Sequence, residues 1–133
     1  MKKGYKDNIE KLTEENKDFR RVLYTGEHSQ LVLMSLLPGE EIGEEIHNEN
    51  DQFFRFESGK GKVIINDTVY EVNSGDAVIV PTGAKHNVIN VGQTELKLYT
   101  IYSPAHHKDG IVRSTKSEAL TNEEEFDGVI TEE

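Results

Sequence analysis

Residues 75–90 read GDAVIVPTGAKHNVIN, and this stretch decides the fold. Gly75-Asp76 is a turn signal. Ala77 to Val80 is a short apolar run suited to a buried strand. Pro81 and Gly83 interrupt that strand and re-aim the chain. His86 opens the next strand, where alternation sets His86, Val88 and Asn90 on one face. An imidazole at the start of a strand, just after a Pro/Gly turn, is placed to point into the mouth of a barrel. The fixed residues are Gly75-x5-Pro81-x-Gly83-x2-His86-x3-Asn90.

The stretch upstream carries a second spaced pattern, Gly39-x5-Glu45-x-His47-x4-Gln52-x6-Gly59. Glu45 and His47 are two apart, so a strand projects both from one face. Gln52, Phe54 and Phe56 share a face of the following run by the same rule. Together the two patterns resemble the paired signature motifs of the cupin superfamily. The downstream motif matches at each fixed position. The upstream one keeps both glycines and the second histidine, but holds Glu45 where the family has its first histidine and Gln52 where it has a glutamate.

The resemblance implies an all-β fold, the double-stranded β-helix or jelly-roll barrel. It places Glu45, His47, Gln52 and His86 at the four positions that hold a divalent metal inside such barrels. Two imidazoles and a carboxylate suit zinc, manganese, nickel or iron. A carboxylate at position 45 offsets the neutral amide at position 52, so the ligand charge is kept. The donor set is similar to that of phosphomannose isomerases, cupin-fold enzymes whose zinc site includes Gln, two His and Glu. The bland alternative is that Glu45 belongs to a solvated run with Glu40, Glu41 and Glu44, and that His47 is a hydrogen-bonded core residue.

The rest of the chain agrees with an all-β domain. FRRVLYT (19–25), SQLVLMSLL (29–37), DQFFRFE (51–57), KVIIN (62–66), TVYEV (68–72), HNVINV (86–91) and ELKLYTIY (95–102) are short β-rich runs bounded by Gly, Asn, Asp or Pro. Many short strands at close spacing indicate a sandwich or small barrel. Gly26-Glu27-His28 and Asn66-Asp67 read as turns. Residues 1–17 form a polar N-terminal arm, either a helical turn or an edge strand, 18–114 the barrel, and 115–133 an acidic C-terminal helix or tail with Thr115 as N-cap.

The net charge of the 133 residues is -10, and there is no cysteine. The charge is concentrated in residues 38–60 and 118–133, with no basic stripe, which argues against nucleic acid and anionic membrane surfaces. Without cysteine there is neither a disulfide nor a thiolate ligand. The opening MKKGYKDNIEK has no apolar stretch, so a cytoplasmic location is expected.

Outside the motifs, His106 and His107 follow Pro104 in a loop. They are either solvated loop side chains or, His107 above all, a lid residue or general acid/base over the barrel mouth. Tyr99 is the second catalytic candidate, since a hydroxyl from the last strand can reach the pocket. Phe53 faces outward with Arg55, and with Phe19 and the N-terminal arm it points to a homodimer. The function expected is a small metal-binding cupin, similar to phosphomannose-isomerase-like bacterial cupins. It binds or transforms a small polar molecule such as a sugar derivative, with the metal as Lewis acid. The alternatives are a non-haem Fe(II) dioxygenase, with iron on His47, His86 and Glu45, and a metal-free ligand-binding or sensor barrel.

Overall fold

The computed structural model describes all residues, 1–133. In chain order the elements are α1 (Ile9–Glu15), β1 (Arg20–Thr25), β2 (Gln30–Leu36), β3 (Glu45–Ile46), β4 (Asp51–Ser58), β5 (Gly61–Ile65), β6 (Thr68–Val72), β7 (Ala77–Val80), β8 (Lys85–Asn90), β9 (Leu96–Ser103), β10 (Val112–Arg113) and α2 (Lys116–Thr121). The strands form two antiparallel sheets, one of order β10-β1-β2-β9-β4-β7 and one of order β3-β8-β5-β6. This is the jelly-roll arrangement of two facing sheets. No helix is long and apolar enough to cross a membrane.

Period-two alternation builds the interior. On β4, Gln52, Phe54 and Phe56 point inward and are at most 2% exposed. Val32, Met34 and Leu36 of β2, Val88 of β8, and Leu96 and Leu98 of β9 meet them in one apolar cluster. Each such side chain contributes about 1.5–3 kcal/mol by burial. Phe19 is part of this core, 3% exposed. It is therefore not a spare apolar group for an interface: it precedes β1 and turns under the sheet instead.

The N-terminal arm is a helix rather than a strand. Asn8 caps α1 by accepting from the Lys11 amide at 3.0 Å. The helix packs on the outer side of β2, β4 and β9. Leu33 has outward parity on β2 and is still buried, and it shares a cleft with Leu12 of α1. At the other end, Thr115 caps α2 by accepting from the Glu118 amide at 3.1 Å. Asn66, φ +52, makes the left-handed corner of the two-residue β5–β6 turn.

The motif glycines are turn residues. Gly59 has φ +94, and a Cβ there would lie 2.7 Å from the Glu95 carbonyl oxygen, so only glycine fits. Gly83, φ +85, donates its amide to the His47 carbonyl at 2.8 Å. That bond ties the two motifs together. Thr82 in the same turn donates its amide and hydroxyl to Asp51 Oδ1, at 2.9 and 2.8 Å.

Candidate metal centre

The two motifs meet where β3 pairs with β8, with Glu45 opposite His86. Ile46 points out, 53% exposed, and His47 turns back in, 7% exposed. His47 Nε2 lies 3.7 Å from Glu45 Oε2, and the His47 and His86 rings are 5.2 Å apart. Gln52 enters from β4, beside Phe54. Of the four motif positions, His86 and Gln52 are the most deeply buried.

Hydrogen bonding leaves three donor atoms free. His86 Nδ1 donates to the Ala84 carbonyl at 3.1 Å, which sets the tautomer and leaves Nε2 with a lone pair. Gln52 Nε2 donates to Thr100 Oγ1 at 3.0 Å, which leaves Oε1 unused. His47 Nε2, Gln52 Oε1 and His86 Nε2 are all buried without a hydrogen-bond partner. Buried polar atoms are rarely left so, and three on the motif residues point to a missing partner.

A third histidine takes the place that the motif gave to His86. The ligating atoms of Glu45, His47 and His106 all lie within 4.8 Å of one another, a cluster able to hold a metal ion, and His86 is not in that group. The His106 and His47 rings are 4.3 Å apart. Neither loop histidine is a solvated side chain, because the loop is clamped by Gln30. Gln30 is 1% exposed. Its Oε1 accepts from the His106 and His107 amides at 3.2 and 3.0 Å, and its Nε2 donates to the His107 carbonyl at 2.7 Å. His107 is buried, with Nε2 3.2 Å from the Tyr102 hydroxyl.

Tyr102, not Tyr99, is the tyrosine of the interior. Leu96, Leu98, Thr100 and Tyr102 share the inward parity of β9, whereas Tyr99 faces out against Phe53, ring centroids 6.2 Å apart. Tyr99 therefore cannot serve the site. Tyr102 packs edge-on to His47, and burial, with Glu45 nearby, pushes its phenol well up.

The electrostatics keep the imidazoles neutral. Burial first, then His106, His86 and Arg20, lower His47 to about 4. Burial also lowers His86 and His106, and His107 well below the ordinary value. Burial raises the Glu45 carboxyl, while Arg20 opposes that rise. Neutral imidazole is the form that ligates metal.

A polar cleft of about 280 Å³ opens on the cluster. Its walls are Arg20, Glu45, His47, His106 and His107, with the glutamates at 123–125. The C-terminal segment reaches it by running antiparallel to the histidine loop: the Phe126 amide donates to the His106 carbonyl at 3.0 Å, and the Lys108 amide to the Glu124 carbonyl at 3.2 Å. Arg20, His106 and these glutamates did not emerge from the motif spacing. Arg20 did carry a signal, since it shares the inward parity of Val22, whose partner Val32 is in the core.

The comparisons with known proteins agree with this architecture. The family model described as Cupin domain matches residues 32–102. The uncharacterized protein YrkC of Bacillus subtilis is 46% identical over 123 residues, 88% of this chain and 66% of that protein. The chain thus spans about two thirds of that relative's length. The crystal structure of BH2720 from Bacillus halodurans superposes with a TM-score of 0.89 at 43% identity, covering 90% of this chain and 96% of that one. A mannose-1-phosphate guanylyltransferase of Salmonella montevideo is 32% identical over 89 residues, 66% of this chain but only 19% of that protein. With both motifs in the matched region and two facing sheets around them, the chain belongs to the cupin family.

Proposed function

We propose that the protein is a metal-binding cupin that binds or transforms a small polar molecule in the cleft above its motif residues. The observation that carries this reading is the trio of buried, unpartnered atoms His47 Nε2, Gln52 Oε1 and His86 Nε2. Neutral imidazoles, an amide oxygen and the Glu45 carboxylate fit a divalent ion such as zinc, manganese, nickel or ferrous iron. Glu45, His47, Gln52 and His86 would hold it, with His106 alongside. The ion would supply Lewis acidity at a carbonyl or hydroxyl oxygen of the bound molecule.

The protein's own groups do the rest. His86 is fixed by Ala84, and Gln52 by Thr100, so both donors are oriented before anything binds. His107, in the wall of the cleft and hydrogen-bonded to Tyr102, would orient a molecule there through its neutral ring. The local likeness to a mannose-1-phosphate guanylyltransferase supports a sugar derivative as the molecule.

Elemental analysis of untreated protein, followed by NMR of a metabolite extract incubated with metal-loaded and EDTA-stripped protein, tests this reading. Metal-dependent disappearance of a sugar derivative is the expected result. Bound iron with consumption of O2 would replace it by the dioxygenase. Binding without turnover, equal in both forms, would replace it by the metal-free barrel.

A homodimer is part of the same proposal. Ile79, Phe53 and Ile101 lie side by side across β7, β4 and β9 on the outer face, and Ile79 is 65% exposed. Phe53→Glu places a charge in that row. A dimer in light scattering that becomes monomeric in the variant is expected; a wild-type mass of 15.1 kDa would exclude it.

A further inference from the structure

Arg20 is the one basic residue in the wall of the cleft, apart from the histidines. It begins β1 on the inward parity, with Phe19 under its guanidinium at 5.5 Å. No carboxylate pairs with it, although the cleft wall also carries Glu45, Glu123 and Glu125. Its Nε is buried and has no hydrogen-bond partner. A guanidinium is a planar fork of five donors, matched to a carboxylate or phosphate. Leaving its inner N–H buried and unpaired is costly, unless the site is completed by something that enters the cleft. The charge of Arg20 is felt across the cluster, at Glu45, His47, His106 and His107 alike.

We propose that Arg20 anchors the carboxylate of the bound molecule, and that the molecule is a small hydroxy- or oxo-carboxylic acid whose oxygen function lies toward the histidine cluster. This rests on the metal-binding reading for the place of the oxygen function and for the preference of a monoanion over a dianion; the role of Arg20 as anion anchor does not. The sign and size of the local charge favour a monoanion over a phosphate dianion. Glu124 is already engaged by Lys108 and Arg113, each at 3.4 Å. Glu45, Glu123 and Glu125 remain, and a divalent ion with Arg20 balances them. A single carboxylate then matches the guanidinium fork and adds one negative charge to a balanced cleft, whereas a phosphate dianion adds two beside the same glutamates.

The test is ligand-observed NMR titration with glycerate, glyceramide and glycerol 3-phosphate. The proteins are wild type, Arg20→Gln and Arg20→Lys, each metal-loaded and EDTA-treated. Wild type is expected to bind glycerate about tenfold more tightly than the neutral amide, the effect of one charge-assisted hydrogen bond. That preference should vanish in Arg20→Gln and be reduced in Arg20→Lys, which keeps the charge without the fork. Zinc affinity should not fall in either variant, and should rise in Arg20→Gln, which removes a positive charge beside Glu45, His47 and His106. Equal binding of acid and amide by wild type, an undiminished preference in Arg20→Gln, or no glycerate binding in either form overturns the proposal. Tighter binding of glycerol 3-phosphate than of glycerate overturns the carboxylate assignment. Failure of wild type to take up zinc would sink the metal reading alone, because the acid-over-amide preference in EDTA-treated protein still decides the role of Arg20. Should Arg20→Gln fail to fold by thermal denaturation, the comparison rests on Arg20→Lys and on acid against amide in wild type.

Discussion

Replacing His47 by Gln should flatten the pH dependence of stability in the metal-free protein. The His47 ring is 7% exposed and sits beside two other imidazoles, 4.3 and 5.2 Å away. Burial and these neighbours lower it from 6.5 to about 4. Between those values the unfolded chain binds a proton at this residue and the native protein does not. Stability is therefore complete above pH 6.5, falls as pH drops toward 4, and loses nothing more from this group below that. The gap corresponds to roughly 3 kcal/mol. His86, His106 and His107 are lowered too, so wild type falls by more than this in total. The difference between wild type and His47→Gln isolates one residue. Urea unfolding in EDTA, followed by circular dichroism at several pH values from 7.5 to 4.5, measures it. Over that range the variant should gain about 3 kcal/mol relative to wild type. Parallel curves would show that His47 is not held neutral by its surroundings, and the electrostatic account of the cluster would fail.

Three further outcomes follow from named contacts. Gly59→Ala forces a Cβ to within 2.7 Å of the Glu95 carbonyl at φ +94, and should cost about 2–4 kcal/mol in urea unfolding. Gln30→Leu strips the His106–His107 loop of its clamp; it should cost about 2–3 kcal/mol by leaving buried amides unpaired, and speed amide hydrogen exchange at 106 and 107. Gln52→Glu adds an anionic ligand beside neutral imidazoles and should tighten zinc binding about tenfold by calorimetry; weaker binding would mean that repulsion from Glu45 prevails.

The barrel was legible because it rests on local rules. Alternation marked the inward residues of β4 and β8, and the glycine and proline spacings marked the turns that bring β3 against β8. The pairing of Glu45 with His86 and the inward side chains of His47 and Gln52 were readable for the same reason; the approach of His106 to Glu45 and His47 was not. Tyr99 was misread where the alternation could have decided: Leu96 and Leu98 face in, so Tyr102 follows them and Tyr99 does not. The half-buried His106 and buried His107 were hidden by composition, since a Pro-initiated polar loop looks solvated. Groups distant in sequence, Gln30 and Asn50 among them, hold it against the barrel. Arg20 and the glutamates at 123–125 reach the cleft from opposite ends of the chain. No local spacing encodes that meeting; strand order does.

The central claim is that the free donors of His47, Gln52 and His86 exist to hold a metal ion. Equilibrium dialysis against zinc at neutral pH, read by elemental analysis of wild type and His86→Ala, tests it most directly. About one ion per chain in wild type, and loss of that ion in the variant, is the predicted result. No retained zinc in wild type, or equal retention in His86→Ala, would contradict it.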